Sequence, residues 1–163
     1  HGGSLRIYIS HQNSKKKIQK SISRVLKKEQ NLQLFQLKTF SNFLKRVNLI
    51  KIKTLKFLKL ELQKGKKIAF YGAAAKGNTF LNFLRVNNKK INHIFDLSKP
   101  KIGKYSPGSK IKVFYPHKKI VYKFDIIIIL PWNLKYEIAL QLQKKIKKNC
   151  EIYVCIPEIK KIN

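Results

Sequence analysis

The sequence FDIIIIL, residues 124–130, constrains the fold more than any other stretch of the chain. Four isoleucines follow one another, so a strand here would carry branched apolar side chains on both faces. A strand with one face in water would alternate apolar and polar residues instead. We therefore predict a buried central strand of a parallel sheet.

Strand and helix patterns alternate over residues 64–163. The other predicted strands are KKIAFY (66–71), INHIFD (91–96), KVFY (112–115) and EIYVCI (151–156). Helices are predicted for residues 77–86 and 134–148. This order predicts an α/β fold, a Rossmann-like domain in which helices flank a mostly parallel sheet.

The chain before residue 64 has a different pattern. Residues 4–10, SLRIYIS, alternate apolar and polar side chains as a half-buried strand does. We predict an orphan N-terminal strand, whose sheet neighbours this chain does not obviously supply. Residues 13–63 repeat apolar residues at helical spacing, for example Leu55, Leu58 and Leu62, and predict two or three helices as a linker.

Composition sets limits on partners and location. The chain has 37 Lys and Arg against 7 Asp and Glu, a formal charge of +30, which on its own favours nucleic acid or an anionic surface. Only four of the basic residues are arginine, and the lysines form no dense block, so nucleic-acid binding is disfavoured. No apolar run approaches the roughly 20 residues of a membrane span, so no membrane partner is expected.

Cysteine content and the first residue add two expectations. Cys150 and Cys155 are too few for a zinc site or a disulfide framework, so we expect no bound metal and a reducing cytoplasm. The chain lacks methionine and begins at His1, so we expect it to be a piece of a longer protein.

Small residues cluster in GAAAKGNT, residues 72–79. The chain has seven glycines and five alanines, and five of these twelve residues fall within positions 72–77. Such residues allow a tight turn or a close approach of backbone to a ligand. The P-loop pattern fails at Asn78, where a lysine is required, and the dinucleotide fingerprint fits loosely as Gly72, Ala74 and Gly77.

This loop predicts an anion site at the start of a helix. The residues expected to bind substrate there are Gly72, Ala73, Ala74, Lys76, Gly77, Asn78 and Thr79. Asp96 ends the second strand of the domain, where it would hold a ribose or serve structure. The alternative for Gly72 and Gly77 is that they serve only strand–helix packing.

Two further segments are candidates for binding. The loop GKYSPG, residues 103–108, would place Lys104 and Tyr105 over a ligand, or it is an ordinary turn. Trp132 and Asn133 follow the most buried strand, where open α/β sheets bind ligands. Trp132 would either stack on a base or sugar or cap the edge of the sheet. We read His11, His93 and His117 as surface or strand residues.

Four stretches together resemble one enzyme family: HGGSLRIYIS, KKIAFYGAAAKGNTFLNF, GKYSPGSKI and FDIIIILPWNLKYEI. They resemble the C-terminal part of S-adenosylmethionine-dependent C-methyltransferases that act on nucleotide-linked 4-keto-deoxysugars. The resemblance covers nearly the whole chain. It implies a zinc-binding domain and a donor-binding domain before the Rossmann-like domain, with the nucleotide sugar between the last two.

The resemblance also assigns roles to parts of this chain. His1 matches a histidine placed to remove the proton next to the sugar ketone, and residues 1–12 match the last strand of the donor domain. The zinc-binding cysteines and the glycine-rich donor motif are absent, and Ser109-Lys110 stands where Thr-His is expected. The resemblance therefore implies a substrate-facing part that binds no S-adenosylmethionine by itself.

Two rival functions remain from the sequence. The first is a Rossmann-like nucleotide-binding module that performs no chemistry. The second is a basic nucleic-acid-binding protein. Both functions are alternatives to the C-methyltransferase part that the resemblance implies.

Overall fold

The computed structural model describes residues 4–163, and the chain divides into two compact units at Asn48. In the first unit, α1 spans Lys20–Asn31 and buries no residue. Helix α2, Leu37–Gln63, begins in the first unit and continues into the second, where it buries Thr54, Leu58 and Glu61. Two helices are thus present, as the sequence predicts for residues 13–63.

Residues 4–10 are not a strand in this structure. Leu5, Ile7 and Ile9 are all exposed, Ile9 by 90%. Their alternation is real, but a strand needs a neighbour for its backbone hydrogen bonds, and no described strand pairs with this segment. The orphan strand predicted here is therefore not formed within this chain.

The second unit contains a six-stranded sheet in the order β3-β2-β1-β4-β5-β6. The strands are β1 (Ile68–Tyr71), β2 (His93–Phe95), β3 (Lys112–Phe114), β4 (Ile126–Ile129), β5 (Glu151–Val154) and β6 (Lys160–Lys161). Strands β1 to β5 are parallel, and only β6 pairs antiparallel, with β5. This confirms the predicted α/β fold with a mostly parallel sheet.

Strand β4 lies in the middle of the sheet because all four of its isoleucines can be buried. It pairs with β1 on one side and β5 on the other, and each of its residues is at most 1% exposed. Its side chains point alternately to the two faces. Ile126 and Ile128 join the core on one face, and Ile127 and Ile129 join the core on the other.

Helices cover the two faces of the sheet. Helix α3 (Ala75–Leu84) packs Leu81 and Leu84 on the face that holds Phe70, together with Leu58 of α2. Helices α4 (Lys118–Val121) and α5 (Lys135–Gln143) cover the opposite face. Helix α3 begins two residues earlier than predicted, α5 ends five residues earlier, and α4 and β6 are short elements that the sequence pattern did not predict.

Four of the seven acidic residues form ion pairs with lysine, and three of these lie at the amino-terminal edge of the sheet or at the helix end beside it. Lys66 Nζ lies 3.0 Å from both Glu61 Oε2 and Glu151 Oε2, and Lys161 Nζ lies 2.8 Å from Glu151 Oε1. Hydrogen bonds from lysines lower the pKa of Glu61 and Glu151. These carboxylates therefore neutralise lysines and tie α2, β5 and β6 together.

This network predicts acid sensitivity. Because the folded pKa values of Glu61, Glu151 and Asp125 are lowered, their stabilisation is complete above the unfolded values and is lost as pH falls through the folded ones. We expect the urea concentration at the midpoint of unfolding to decrease once the pH drops below about 4. Glu151→Gln should lower stability at pH 7 by about 1 kcal/mol and flatten this pH dependence. The exposed Glu158→Gln should change neither, and an equal effect of both would contradict the assignment.

Candidate functional site

The loop between β1 and α3 is anchored on the end of β2. The backbone N–H of Gly72 donates to the carbonyl of Phe95 at 2.7 Å, and the N–H of Ala73 donates to Asp96 Oδ2 at 2.7 Å. The other oxygen, Oδ1, accepts the N–H of Ser98 at 2.8 Å. Asp96 thus holds two segments in place, which supports its structural role over ribose binding.

Packing explains both glycines of the loop. Gly72 has φ +95°, and a Cβ added there would lie 2.4 Å from Pro131 Cδ. A Cβ on Gly77 would lie 2.9 Å from Leu130 Cβ and 3.0 Å from the carbonyl oxygen of Gly72. The packing alternative therefore accounts for the presence of glycine at both of these positions.

The start of α3 is open to an anion. Ala74 is the N-cap residue, it makes no side-chain capping hydrogen bond, and the first turn contains no acidic residue. The N–H groups of a first helical turn have no partner within the helix and carry partial positive charge. Ala74 is half-buried, Ala75 is exposed, and the side chain of each is only a methyl group. An anion can therefore approach this backbone closely.

The open helix start lies at the switch point of the sheet. Strands β1 and β4 are neighbours, but α3 leaves β1 toward one face, and α5 leaves β4 toward the other. Their carboxyl ends therefore border a crevice, which is where open α/β sheets bind ligands. GAAAKGNT follows β1 and Pro131-Trp132-Asn133 follows β4, so two segments that the sequence predicts to bind substrate border this crevice, and their binding remains a prediction.

Trp132 and Lys76 meet beside this crevice. Lys76 Nζ lies 5.4 Å from the centre of the Trp132 ring, within the range of a cation–π contact. The indole also packs against the core on the α5 face and is half-buried, whereas Asn133 is exposed. The structure thus brings Lys76 and Trp132 together, and each remains a predicted binding residue.

Asn78 and Thr79 use their side chains differently from each other. Asn78 Oδ1 accepts a hydrogen bond from Ser106 Oγ at 2.7 Å. Thr79 Oγ1 donates to the carbonyl of Ala75 at 3.1 Å, within α3. Asn78 therefore connects α3 to the segment 103–110, whereas the hydroxyl of Thr79 is engaged with its own helix.

Lys104 and Tyr105 lie beside β3, away from the crevice. The carbonyl of Lys104 accepts the N–H of Val113, and Tyr105 forms an antiparallel bridge with Lys112. Lys112 begins β3, whereas Gly72 and Trp132 follow the carboxyl ends of β1 and β4. Both side chains are exposed, and their predicted contact with a ligand remains a prediction.

Tyr71 is a residue at the crevice that sequence reasoning missed. It ends β1, directly before Gly72, and is 5% exposed. Burial, with smaller contributions from Asp96 and Tyr115, raises its pKa to about 12. Its phenol is therefore neutral at neutral pH and can donate a hydrogen bond. The sequence signal was its position at the end of a buried strand that leads into the loop.

His93 and the two cysteines have structural surroundings. His1 lies outside the described residues. His93 stacks on Phe114 at 4.3 Å, and burial lowers its pKa. Burial raises the pKa of Cys150 to about 11 and of Cys155 to about 12, so both thiols are unreactive at neutral pH.

Two types of feature are absent from residues 4–163. These residues contain no group of three or more His, Cys, Asp or Glu side chains that could hold a metal ion. Within the same range, no helix combines the length and the apolar character of a membrane span.

Comparisons with known proteins match nearly the whole chain. The C-methyltransferase NovU of Streptomyces niveus is 24% identical over 158 residues, which are 97% of this chain and 38% of that protein. The chain thus spans well under half the length of this relative. The family model of the C-methyltransferase C-terminal domain matches residues 1–157. Because that match covers nearly the whole sequence, the chain belongs to the C-methyltransferase C-terminal domain family.

Proposed function

We propose that this chain is the substrate-facing part of an S-adenosylmethionine-dependent C-methyltransferase that acts on a nucleotide-linked 4-keto-deoxysugar. The open start of α3 binds the diphosphate of that substrate. The observation that carries this proposal is an uncapped helix start, lined by Ala74 and Ala75, at the switch point of a parallel sheet. Membership of the C-methyltransferase family gives the anion site a substrate class.

Each group at the crevice has a task in this proposal. The backbone N–H groups of the first turn of α3 bind phosphate oxygens. Lys76 adds positive charge beside them, and Trp132 offers a flat apolar surface to the base or sugar. The net charge of +30 attracts a dianionic substrate over a longer range. All of these groups bind and orient the substrate.

We place the binding of the methyl donor outside the described part of this chain. A dinucleotide-type site holds the ribose with an acidic residue after the second strand. Here that residue is Asp96, and both of its oxygens already accept backbone N–H groups of neighbouring loops. We therefore assign S-adenosylmethionine, which supplies the methyl group, to a separate donor-binding domain, and a calorimetric titration of the chain with the donor tests this directly.

We further propose that the partners of this chain are a donor-binding domain and a zinc-binding domain. The support is the 38% coverage of NovU and the exposed apolar residues of the first unit. Residues 1–12 would then add a strand to the donor-binding domain, and residues 13–63 would link it to residues 64–163. Hydrogen exchange tests whether residues 4–10 need a missing domain. In the isolated chain, the backbone amide hydrogens of residues 4–10 should exchange fast and those of residues 124–130 slowly.

By resemblance, His1 removes the proton next to the sugar ketone. Imidazole has a pKa near neutrality and suits this task. In an enzyme that includes a donor-binding domain, His1→Asn should lower kcat far more than it weakens substrate binding. Equal losses in both quantities would argue against a base.

The substrate site is tested with the chain itself. We expect UDP-glucose, dTDP-glucose or GDP-mannose to raise the thermal midpoint and change Trp132 fluorescence, since this is the only tryptophan. Ala74→Val should weaken binding about tenfold, because a branched side chain blocks the approach to the helix start. Gln141→Val, at an exposed position of α5, is the matched control and should bind as the wild type does.

The outcome also separates the rival functions. If none of the sugars changes either signal at millimolar concentration and Ala74→Val has no effect, the loop serves packing alone. If duplex DNA of random sequence binds with a steep salt dependence and the sugars do not compete, the chain is a nucleic-acid-binding protein. Binding without methyl transfer by the complete protein would favour a module without chemistry.

A further inference from the structure

The segment 103–110 is folded firmly against α3. The N–H of Gly103 donates to the carbonyl of Val113, and the N–H of Ser106 donates to that of Ile111, both at 2.9 Å. Asn82 Nδ2 donates to the carbonyl of Pro107 at 3.0 Å, and Gly108 packs so closely on Asn82 that an added Cβ would lie 1.9 Å from its Oδ1. The segment therefore forms a fixed wall beside α3.

Two buried serines in this wall form a chain of hydrogen bonds that ends on Asn78. Ser106 is 3% exposed and Ser109 is 2% exposed, so neither hydroxyl reaches water. Ser109 Oγ donates to Ser106 Oγ at 2.9 Å, and Ser106 Oγ donates to Asn78 Oδ1 at 2.7 Å. Because Ser106 Oγ accepts a hydrogen bond from the hydroxyl of Ser109, the hydrogen of its own hydroxyl is directed to Asn78.

This chain of hydrogen bonds fixes which end of the Asn78 amide faces the wall. The oxygen is turned to Ser106, so the amide NH₂ group points away from Ser106, and Asn78 is half-buried. Side chains of a helix lean toward its N-terminus. Asn78 stands in the second turn of α3, so its side chain as a whole leans toward the open helix start.

We infer that Ser106 and Ser109 are positioning residues that hold the Asn78 amide with its NH₂ group toward the bound diphosphate. The inference rests on the proposed function. Asn78 then supplies donors that a lysine supplies at the same place in a P-loop, but without a charge. Such an arrangement suits a diphosphate that is bound and not cleaved.

The test is a double-mutant cycle read by affinity for UDP-glucose, dTDP-glucose or GDP-mannose, whichever binds the wild-type chain best. Asn78→Ala removes the donors and should weaken binding about tenfold. Ser106→Ala leaves the amide unfixed and should weaken binding about threefold. If Ser106 acts through Asn78, the double variant should bind no more weakly than Asn78→Ala alone.

A second pair of variants separates affinity from folding. Asn78→Asp keeps an oxygen for Ser106 to donate to, so its thermal midpoint should stay near that of the wild type, but it replaces NH₂ by a negative oxygen and should abolish measurable binding. Asn87→Asp makes the same change beyond the far end of α3 and keeps the hydrogen bond from the N–H of Lys89. It should bind like the wild type, since salt screens charges separated by more than about 8 Å.

Each result supports or overturns the inference. Wild-type affinity in Asn78→Ala and Asn78→Asp would show that the amide is no ligand. Additive losses in the double variant would show that Ser106 does not act through Asn78. If the wild-type chain binds none of the three nucleotide sugars, the proposed function fails first, and the inference fails with it.

Discussion

Replacing Gly72 by alanine is expected to destabilise the chain by about 3–5 kcal/mol. Two costs add at this position. The backbone has φ +95°, which side chains other than that of glycine rarely adopt. The new methyl group would also lie 2.4 Å from Pro131 Cδ and 2.5 Å from Pro131 Cγ, and both are atoms of a rigid ring.

Urea unfolding of two further variants separates these costs. Gly65 has φ +75° with nothing within 4 Å of an added Cβ, so Gly65→Ala should cost only the backbone strain, about 1–2 kcal/mol. Combining Gly72→Ala with Pro131→Ala should recover part of the loss, because the ring is removed. If Gly72→Ala costs no more than Gly65→Ala, then β1 and β4 do not meet at this contact as described.

The sheet was predictable because its signal is local. Each isoleucine of β4 is apolar whatever its partner, and four in a row fit only a strand that is buried on both faces. Strand β6 gives no such signal, since it consists of Lys160 and Lys161 and forms only because the chain folds back beside β5. The strand predicted at residues 4–10 fails for the opposite reason, because its local pattern is clear but no described strand of this chain pairs with it.

The location of the candidate site was predictable, but the tasks of its residues were not. The contrast between small residues in positions 72–77 and their scarcity elsewhere indicates a close approach. It does not say whether the approaching group is a ligand or, as for Gly72, a proline 59 residues later in the chain. Likewise, the contact between Asn78 and Ser106 depends on how the segment 103–110 packs against α3. The spacing of residues along the sequence does not predict this packing.

Asp96 illustrates the same limit, since its position after the second strand suggests ribose binding. The structure directs Oδ2 to the N–H of Ala73 and Oδ1 to the N–H of Ser98. Lys101 Nζ lies 3.3 Å from Oδ2, and the carboxylate side chain is only 12% exposed. The loop before α3 therefore keeps its shape through a carboxylate that a ligand would otherwise use.

Replacing Asp96 by alanine should destabilise the chain by about 3 kcal/mol, because two poorly exposed N–H groups lose a charged acceptor. Asp96→Asn keeps one acceptor and should cost about 1–2 kcal/mol. Lys101→Ala removes only a half-exposed ion-pair partner and should cost less than about 1 kcal/mol. These losses are measured by urea unfolding, together with the affinity for nucleotide sugar at a temperature where every variant is folded.

The two readouts assign the carboxylate to one role. A structural anchor predicts that stability falls in the order Lys101→Ala, Asp96→Asn, Asp96→Ala, and that the affinity of Asp96→Asn for nucleotide sugar falls only slightly. A ribose ligand predicts the reverse for Asp96→Asn, which would fold as the wild type does and lose most of its affinity, because a ribose hydroxyl then loses a charged acceptor. That second result would show that Asp96 binds the substrate. The shape of the loop before α3 would then depend on the packing of Gly72 against Pro131.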